Sequence, residues 1–272
     1  MKKLLAVFST LIFFFVCFLR IRRDTHDFKL EKVVFRSPKL SANSPLTILQ
    51  ISDLHNHVFG SDNERFINMV KAANADLIVL TGDLVDKRTM TFDQVFSLIE
   101  RLTAINEHVY FVSGNHEWEN GRTEEFFNSL RKRGVIILNN RNTCITKKHS
   151  TINLAGVDDF STEHENLSGA FSNINKAYYT ILLSHAPDIV KQYDTIPADL
   201  ILSGHTHGGQ VRFPLIGALV APGQGFFPSL NKGTYQLGSN QHLYIDSGVG
   251  TTRLPIRFLN QSQLTLITIT HE

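Results

Sequence analysis

Five short apolar runs constrain this chain more than any other feature. They are LTILQIS (46–52), LIVLTG (77–82), VYFVSG (109–114), ILLSH (181–185) and LILSGH (200–205). Each is too short and too bare of charge to be a surface helix, so each reads as a strand buried on both faces. Between them, Ser61-x-x-Glu64 and Thr91-x-x-Gln94 have the spacing of capping boxes ahead of helically periodic stripes. A third helical stretch runs from Thr123 to Arg133 and stops at Gly134. Strand–helix–strand order of this kind predicts an α/β sheet with helices outside it. After Gly134 the apolar segments lie closer together: VIIL, TCITKK, TINLAGV, then HLYIDSG and LTLITIT. They predict a second, more antiparallel sheet packed on the first.

Each of the five runs ends in potential metal-ligand chemistry. In order, the ends are Asp53-Leu-His55, Gly82-Asp83-Leu-Val-Asp86, Gly114-Asn115-His116-Glu117, His185 and Gly204-His205-Thr-His207. The carboxyl ends of strands form the site rim in open α/β sheets, so these turns are expected to converge. Asp-x-His and His-x-His on extended backbone would send both side chains to one side. Carboxylate, imidazole and amide oxygen suit borderline divalent ions such as Mn, Fe, Co or Zn. The chain has only two cysteines, Cys17 and Cys144, which leaves no disulfide framework and no thiolate metal site. Any one of these motifs alone reads as an ordinary turn. Their recurrence at the same end of successive strands has no packing explanation.

The N-terminus follows different rules. Lys2 and Lys3 precede Leu4–Leu19, in which only Ser9 and Thr10 are polar, and Arg20, Arg22 and Arg23 follow. With no small-x-small cleavage pattern before the arginines, residues 1–23 are expected to be an uncleaved, single-pass membrane anchor, with a signal segment as the alternative. A slight excess of positive charge after the segment leans the body towards the cytoplasm. Residues 24–44 read as a stalk, and 45–272 as the folded domain. The net charge of +2, spread without a basic stripe, gives no case for nucleic-acid binding. Nothing in the sequence calls for an obligate protein partner.

Taken in order, Asp-x-His, Gly-Asp-x-x-Asp, Gly-Asn-His-Glu, His and Gly-His-x-His resemble the calcineurin-like metallophosphoesterases. The resemblance implies a four-layer α/β/β/α sandwich of two mixed sheets and a centre of two divalent ions, with manganese favoured. On this pattern Asp53, His55 and His207 would hold one ion, Asn115, His185 and His205 the other, and Asp83 would bridge them. His116 takes the place of the non-ligand histidine that faces the substrate phosphate, and Asp86 would orient it. Where the family often has Asp-Arg, this chain departs from the pattern with Asp86-Lys87-Arg88. The extensions GHTHGGQVRFPLIGALVAPGQGFFP and SGVGTTRLPIRFLN are similar to a membrane-associated bacterial branch. That branch contains YkuE- and YaeI-type phosphodiesterases and the chlamydial-type UDP-2,3-diacylglucosamine pyrophosphatase.

The implied activity is hydrolysis of a phosphodiester or pyrophosphate, at the membrane, on a lipid-linked or cell-envelope substrate. A general-purpose or secreted phosphodiesterase, and a non-catalytic scaffold, are the alternatives; loss of ligands would mark the scaffold, and every ligand position is present. His57 follows His55 and is open to two readings, an exposed loop histidine or a substrate contact. Phe213, Leu215, Ile216, Leu219, Val220, Phe226, Phe227 and Leu230 crowd one segment beside the metal histidines. Packing into the domain's own core is the first expectation for them; a lip touching bilayer or acyl chains, with Phe226 and Phe227 foremost, is the second. Arg212, Lys232, Arg253 and Arg257 are candidates for a second phosphate.

Overall fold

The computed structural model describes every residue except Asn43, Lys148 and Arg253. In chain order, α1 (Lys2–His26) leads into β1 (Phe28–Arg36) and β2 (Leu46–Ile51). Then come α2 (Glu64–Ala73), β3 (Leu77–Thr81), α3 (Asp93–Ile105), β4 (Val109–Val112), α4 (Asn115–Glu119), α5 (Thr123–Lys132) and β5 (Ile136–Ile137). The second half adds β6 (Arg141–Lys147), β7 (Ser150–Gly156), α6 (Leu167–Ala170), β8 (Tyr179–Leu183), α7 (Ile189–Gln192) and β9 (Leu200–Ser203). Two small hairpins follow, β10 (Arg212–Phe213) with β11 (Gly217–Ala218) and β12 (Val220–Ala221) with β13 (Gly225–Phe226). The chain closes with β14 (Gly233–Gln236), β15 (His242–Ile245) and β16 (Ser262–Thr270).

Two six-stranded mixed sheets result, in the orders β1-β16-β2-β3-β4-β5 and β14-β15-β9-β8-β7-β6. Successive side chains of each central strand enter different layers, which is why these runs are apolar at nearly every position; buried Gln50 in β2 is satisfied by Thr81 Oγ1 and Ser203 O. In β2, Leu49 and Ile51 pack under α2, α3 and α5, whereas Leu46 and Ile48 face the other sheet. In β9, Leu200 and Leu202 face the first sheet, whereas Ile201 joins Leu182, Ile189 and Leu243 on the outer side. Helices, sheet, sheet and helices thus stack in four layers, as the resemblance implied.

Several local expectations are corrected. The segment expected to be a stalk contains β1, which pairs in parallel with β16 along its whole length, Phe28 against Ser262 through Arg36 against Thr270. Its charged, partly exposed pattern, FKLEKVVFR, is that of an edge strand and hid it from an apolar-run criterion. LTLITIT belongs not to the second sheet but to β16, which returns to the first sheet between β1 and β2. The second sheet keeps antiparallel pairing only at its edge strands β14 and β6; β15, β9, β8 and β7 are parallel. Neither capping box forms: α2 starts after Asn63 and α3 after Phe92, with no side-chain cap. Asn63 instead spends its Oδ1 on the Phe59 N–H.

Candidate metal centre

The motif residues converge, but by a different backbone route from the one their spacing suggested. β2 ends at Ile51 and β9 at Ser203, and the site residues sit in turns beyond them. Asp53, His55, Asp83, His205 and His207 all adopt positive φ, between 48° and 70°. Left-handed backbone at non-glycine residues is costly and survives only where the surroundings over-determine it. Alternation on extended strands is therefore not what aims Asp53 with His55, or His205 with His207; the turns do. Glycines supply the clearance. A Cβ on Gly204 would fall 2.4 Å from Asp53 Oδ2, and one on Gly114 would fall 2.3 Å from Asp83 Oδ1.

Three overlapping donor groups form. Asp53, His55 and His207 make one, Asp83, His185 and His205 a second beside it, and His55, Asp83 and His116 a third that links the two. His207 Nε2 lies 3.4 Å from Asp53 Oδ1 and 3.0 Å from His55 Nε2. His185 Nε2 lies 3.2 Å from both Asp83 Oδ2 and His205 Nδ1. Asp83 Oδ2 also stands 3.7 Å from His55 Nε2, so this carboxylate faces both groups. The Asn115 Oδ1 atom is buried with no hydrogen-bond partner, as is His55 Nδ1. Imidazole nitrogens and carboxylate oxygens gathered this closely, with an orphaned buried amide oxygen beside them, are what a cation site requires and what a packed polar cluster avoids. These residues fit divalent ions.

The electrostatics agree with that reading. Burial holds the His55 and His205 imidazoles down at about 4 and about 3, and His207 well below its ordinary value, so all three are neutral and ready to coordinate. Burial also raises the Asp53 carboxyl to about 7. Burial opposes charge on Asp83 and His185 too, but here their mutual attraction wins. The His185 imidazolium holds the Asp83 carboxyl well below the usual range, and Asp83 holds His185 well above it. His185 Nδ1 donates to Thr81 O at 2.7 Å, which turns Nε2 towards Asp83 and the donor cluster.

Around the donors the backbone is braced by a residue that the sequence reading quoted without a role. Glu117 is fully buried and accepts from the N–H groups of Asp83 and Gly114 through Oε2, at 2.9 and 2.8 Å, and from Leu84 through Oε1 at 2.7 Å. One carboxylate thus ties two of the motif turns together. Burial, then the Asp83 charge, pushes its carboxyl up to about 8. An acid three residues past Gly114, at the start of short α4, was the signal available in sequence. His116 stands at the rim, its backbone N–H on Asp83 Oδ1 at 2.9 Å. Its Nδ1 accepts from the Lys87 N–H at 3.1 Å, which leaves the proton of the neutral ring on Nε2. Asp86 Oδ2 lies 3.3 Å from the same Nδ1.

The candidate substrate contacts divide. His57 is partly buried against the Phe59 ring at 4.4 Å; burial, then nearby His26 and Arg257, lowers its pKa. Arg212 gives Nη1 to Gly208 O at 2.9 Å and Asn231 Oδ1 at 2.8 Å, so that nitrogen serves as a brace for the loop after His207. Arg257 is no surface charge: it is fully buried, donates from Nε and Nη2 to Gly250 O, and places Nη2 3.4 Å from His207 Nδ1. Lys232 is partly buried beside Asn260, and burial brings its amine down to about 8. Arg253 lies outside the described residues. Phe226 and Phe227 are 78% and 68% exposed, against the first expectation that they tuck into the core.

Fold and donor set together define a metal-dependent phosphoester hydrolase. Residues 46–209 match the family model described as calcineurin-like phosphoesterase, and the chain belongs to that family. It is similar to the uncharacterized metallophosphoesterase YkuE of Bacillus subtilis, 32% identical over 82% of this chain and 78% of the relative. It is also similar to a transmembrane protein with metallophosphoesterase domain from Danio rerio, 31% identical over 82% of this chain and 53% of that protein. Among solved structures, a 5'-nucleotidase precursor from Thermus thermophilus shares the fold, with a TM-score of 0.51 at 14% identity over 83% of this chain and 55% of that one.

Proposed function

We propose that the protein is a membrane-anchored, two-metal hydrolase of a phosphodiester or pyrophosphate bond in a lipid-linked or cell-envelope substrate, of the kind UDP-2,3-diacylglucosamine exemplifies. The supporting observation is adjacency: the segment that carries exposed Phe226 and Phe227 borders the donor cluster, and a Cβ on Gly223 would lie 3.8 Å from His205 Nε2. In this reading Asp53, His55 and His207 hold one divalent ion, Asn115, His185 and His205 the other, and Asp83 is shared. Such ions, when bound, neutralise phosphoryl oxygens and lower the pKa of the attacking water. Manganese is the first to test, because the resemblance favours it and the carboxylate and amide oxygens suit it.

The chain's own groups supply the rest. His116 presents its Nε2–H as a hydrogen-bond donor to the oxygen on which charge develops, and the Lys87 N–H on Nδ1 fixes the orientation of the ring, with Asp86 beside it. Glu117 keeps the Asp83 and Asn115 turns in register. α1 is the one helix among the described residues long and apolar enough to span a membrane, and its apolar stretch is unburied. Its last turn is part of the folded body: Asp24 accepts from the Asn260 N–H and Thr25 Oγ1 from the Arg257 N–H. Cleavage after the apolar stretch would free that turn, which favours retention of the anchor over release as a secreted enzyme. The arginines after the apolar stretch favour a cytoplasmic body.

The test is turnover by the full chain of bis-p-nitrophenyl phosphate and of soluble and lipid-linked pyrophosphates, after chelation and return of Mn²⁺. Manganese-restored hydrolysis, faster on the lipid-linked member, is expected. Hydrolysis with no preference for lipid would leave a general phosphodiesterase, and none on any substrate would sink the catalytic reading.

A further inference from the structure

The apolar segment beyond His207 is folded, yet it turns its largest side chains away from the protein. The β10–β11 hairpin carries Phe213, Leu215 and Ile216, and the β12–β13 hairpin ends in Phe226 and Phe227. Leu215 is fully exposed, and Ile216 more than half exposed. These hairpins are held firmly at their roots. Leu230 is buried, with its N–H and carbonyl both bonded to the Gln224 side chain at 3.0 and 2.6 Å, and Arg212 clamps Gly208 and Asn231. Exposed apolar side chains on two successive, ordered hairpins mark a contact, since water gives no reason to keep them.

Its neighbour identifies the occupant. Phe213 packs on Phe258 with ring centroids 6.1 Å apart, and the Arg212 N–H bonds Phe258 O at 3.0 Å. On either side of Phe258, Arg257 and Asn260 receive the last turn of α1. Leu254, half exposed, lies on the same segment. The lip therefore sits on the side of the body where the apolar helix leaves it; exposed Arg22 and Arg23 on that helix suit lipid phosphates, while Arg20 is paired with Asp24.

We propose that the lip formed by these two hairpins seats in the leaflet beside the exit of α1, so that the rim of the donor cluster faces the headgroup layer. This rests on the reading of α1 as a membrane anchor. It specifies how substrate arrives: a phosphorylated headgroup is met at the bilayer surface with its acyl chains still in lipid, so the enzyme need not extract it. A second copy of the chain could cover the same surface, and so could acyl chains of a bound substrate; the experiment separates them.

Trp118 is the chain's single tryptophan; it stacks on His164 in the body. Leu215→Trp and Phe226→Trp add a reporter at each hairpin. Leu237→Trp adds one at a partly exposed apolar position just before β15 starts, at the pole opposite the site. Each full-length variant is reconstituted in substrate-free vesicles of phosphatidylcholine and phosphatidylglycerol with brominated or plain acyl chains. Flotation is checked first, and turnover of bis-p-nitrophenyl phosphate confirms folding. The brominated lipid is expected to quench the added emission at 215 and 226 by about twofold, as rings seated roughly 5–10 Å into the interface would be, and to leave 237 and the wild type unchanged. Flotation with no more quenching at 215 and 226 than at 237 would overturn the lip and leave the anchor standing. Failure to float would overturn both. Shielding at 215 and 226 that is lost on dilution, without quenching, would assign the surface to a second copy. Quenching that requires added lipid-linked substrate would assign it to that substrate's acyl chains.

Discussion

His207 and Phe213 are six positions apart in sequence, and they obey opposite rules. The first belongs to a pocket whose polar donors are buried under left-handed turns that the surrounding packing over-determines. The second opens a lip whose apolar side chains are exposed although their backbone is ordered. Each region breaks the usual inside–outside rule in the direction that an absent partner would repair. Buried, crowded donors suit cations, and exposed phenylalanines on ordered backbone suit an apolar contact, which in the proposed reading is lipid. In that reading the pocket carries the hydrolysis and the lip selects the substrate.

The comparison breaks most readily at Asp83. Asp83→Ala removes the carboxylate that faces both donor groups. Turnover is expected to fall on the order of 10³-fold on soluble and lipid-linked substrates alike, the scale of losing a charge-stabilising group from an active site. A loss confined to one substrate would put the shared chemistry elsewhere. Glu117→Gln keeps the shape but replaces one of the two oxygens that accept from the Asp83, Leu84 and Gly114 N–H groups with an amide nitrogen that cannot accept. Manganese affinity measured by calorimetry should then weaken by about 10- to 100-fold, while far-ultraviolet circular dichroism stays the same.

Proton release sharpens the same side of the comparison. Without ions, Asp53 titrates at about 7 because of burial, and His185 is held protonated by Asp83. Ligands bind deprotonated, so ion binding expels these protons and tightens as pH rises. Apparent manganese affinity should gain up to about tenfold per pH unit per proton released between about 6 and 8. Calorimetry in buffers of different ionisation enthalpy counts the protons, and affinity that is flat across this window would contradict the electrostatic picture. The smallest effect belongs to the lip. Phe226→Ser with Phe227→Ser should lower turnover of a lipid-linked substrate by about tenfold and leave bis-p-nitrophenyl phosphate unchanged. Equal losses on both would make the lip a support of the pocket.

The sequence was most legible where a single physical demand acts on neighbouring residues. β2, β3, β4, β8 and β9 each face apolar layers on both sides, so a nearly continuous apolar run, broken only by hydrogen-bonded residues such as Gln50 and Thr180, reads directly. That these residues would come together was legible through the resemblance, since the structure groups Asp53 with His55 and His207, and Asp83 with His185 and His205. Features set by distant partners were not. β1 is charged because only its pairing with β16, more than two hundred residues away, makes it a strand. The left-handed turns that aim the ligands leave no periodic trace, because several of them fall on Asp and His and none of the five on Gly. Arg257 read as one surface charge among several, and its burial behind His207 depends on the end of α1. The segment from Phe213 to Leu230 divided the two expectations, Leu230 packing into the core and Phe226 and Phe227 staying exposed, because apolar content argues for burial without saying what does the burying.

The most direct test of a buried two-ion centre is stoichiometry. Equilibrium dialysis of the chelated full-length protein against manganese, followed by elemental analysis, should find two ions per chain in the wild type and at least one fewer in Asp83→Ala. A single ion per chain, or two that survive the loss of Asp83, would contradict the account.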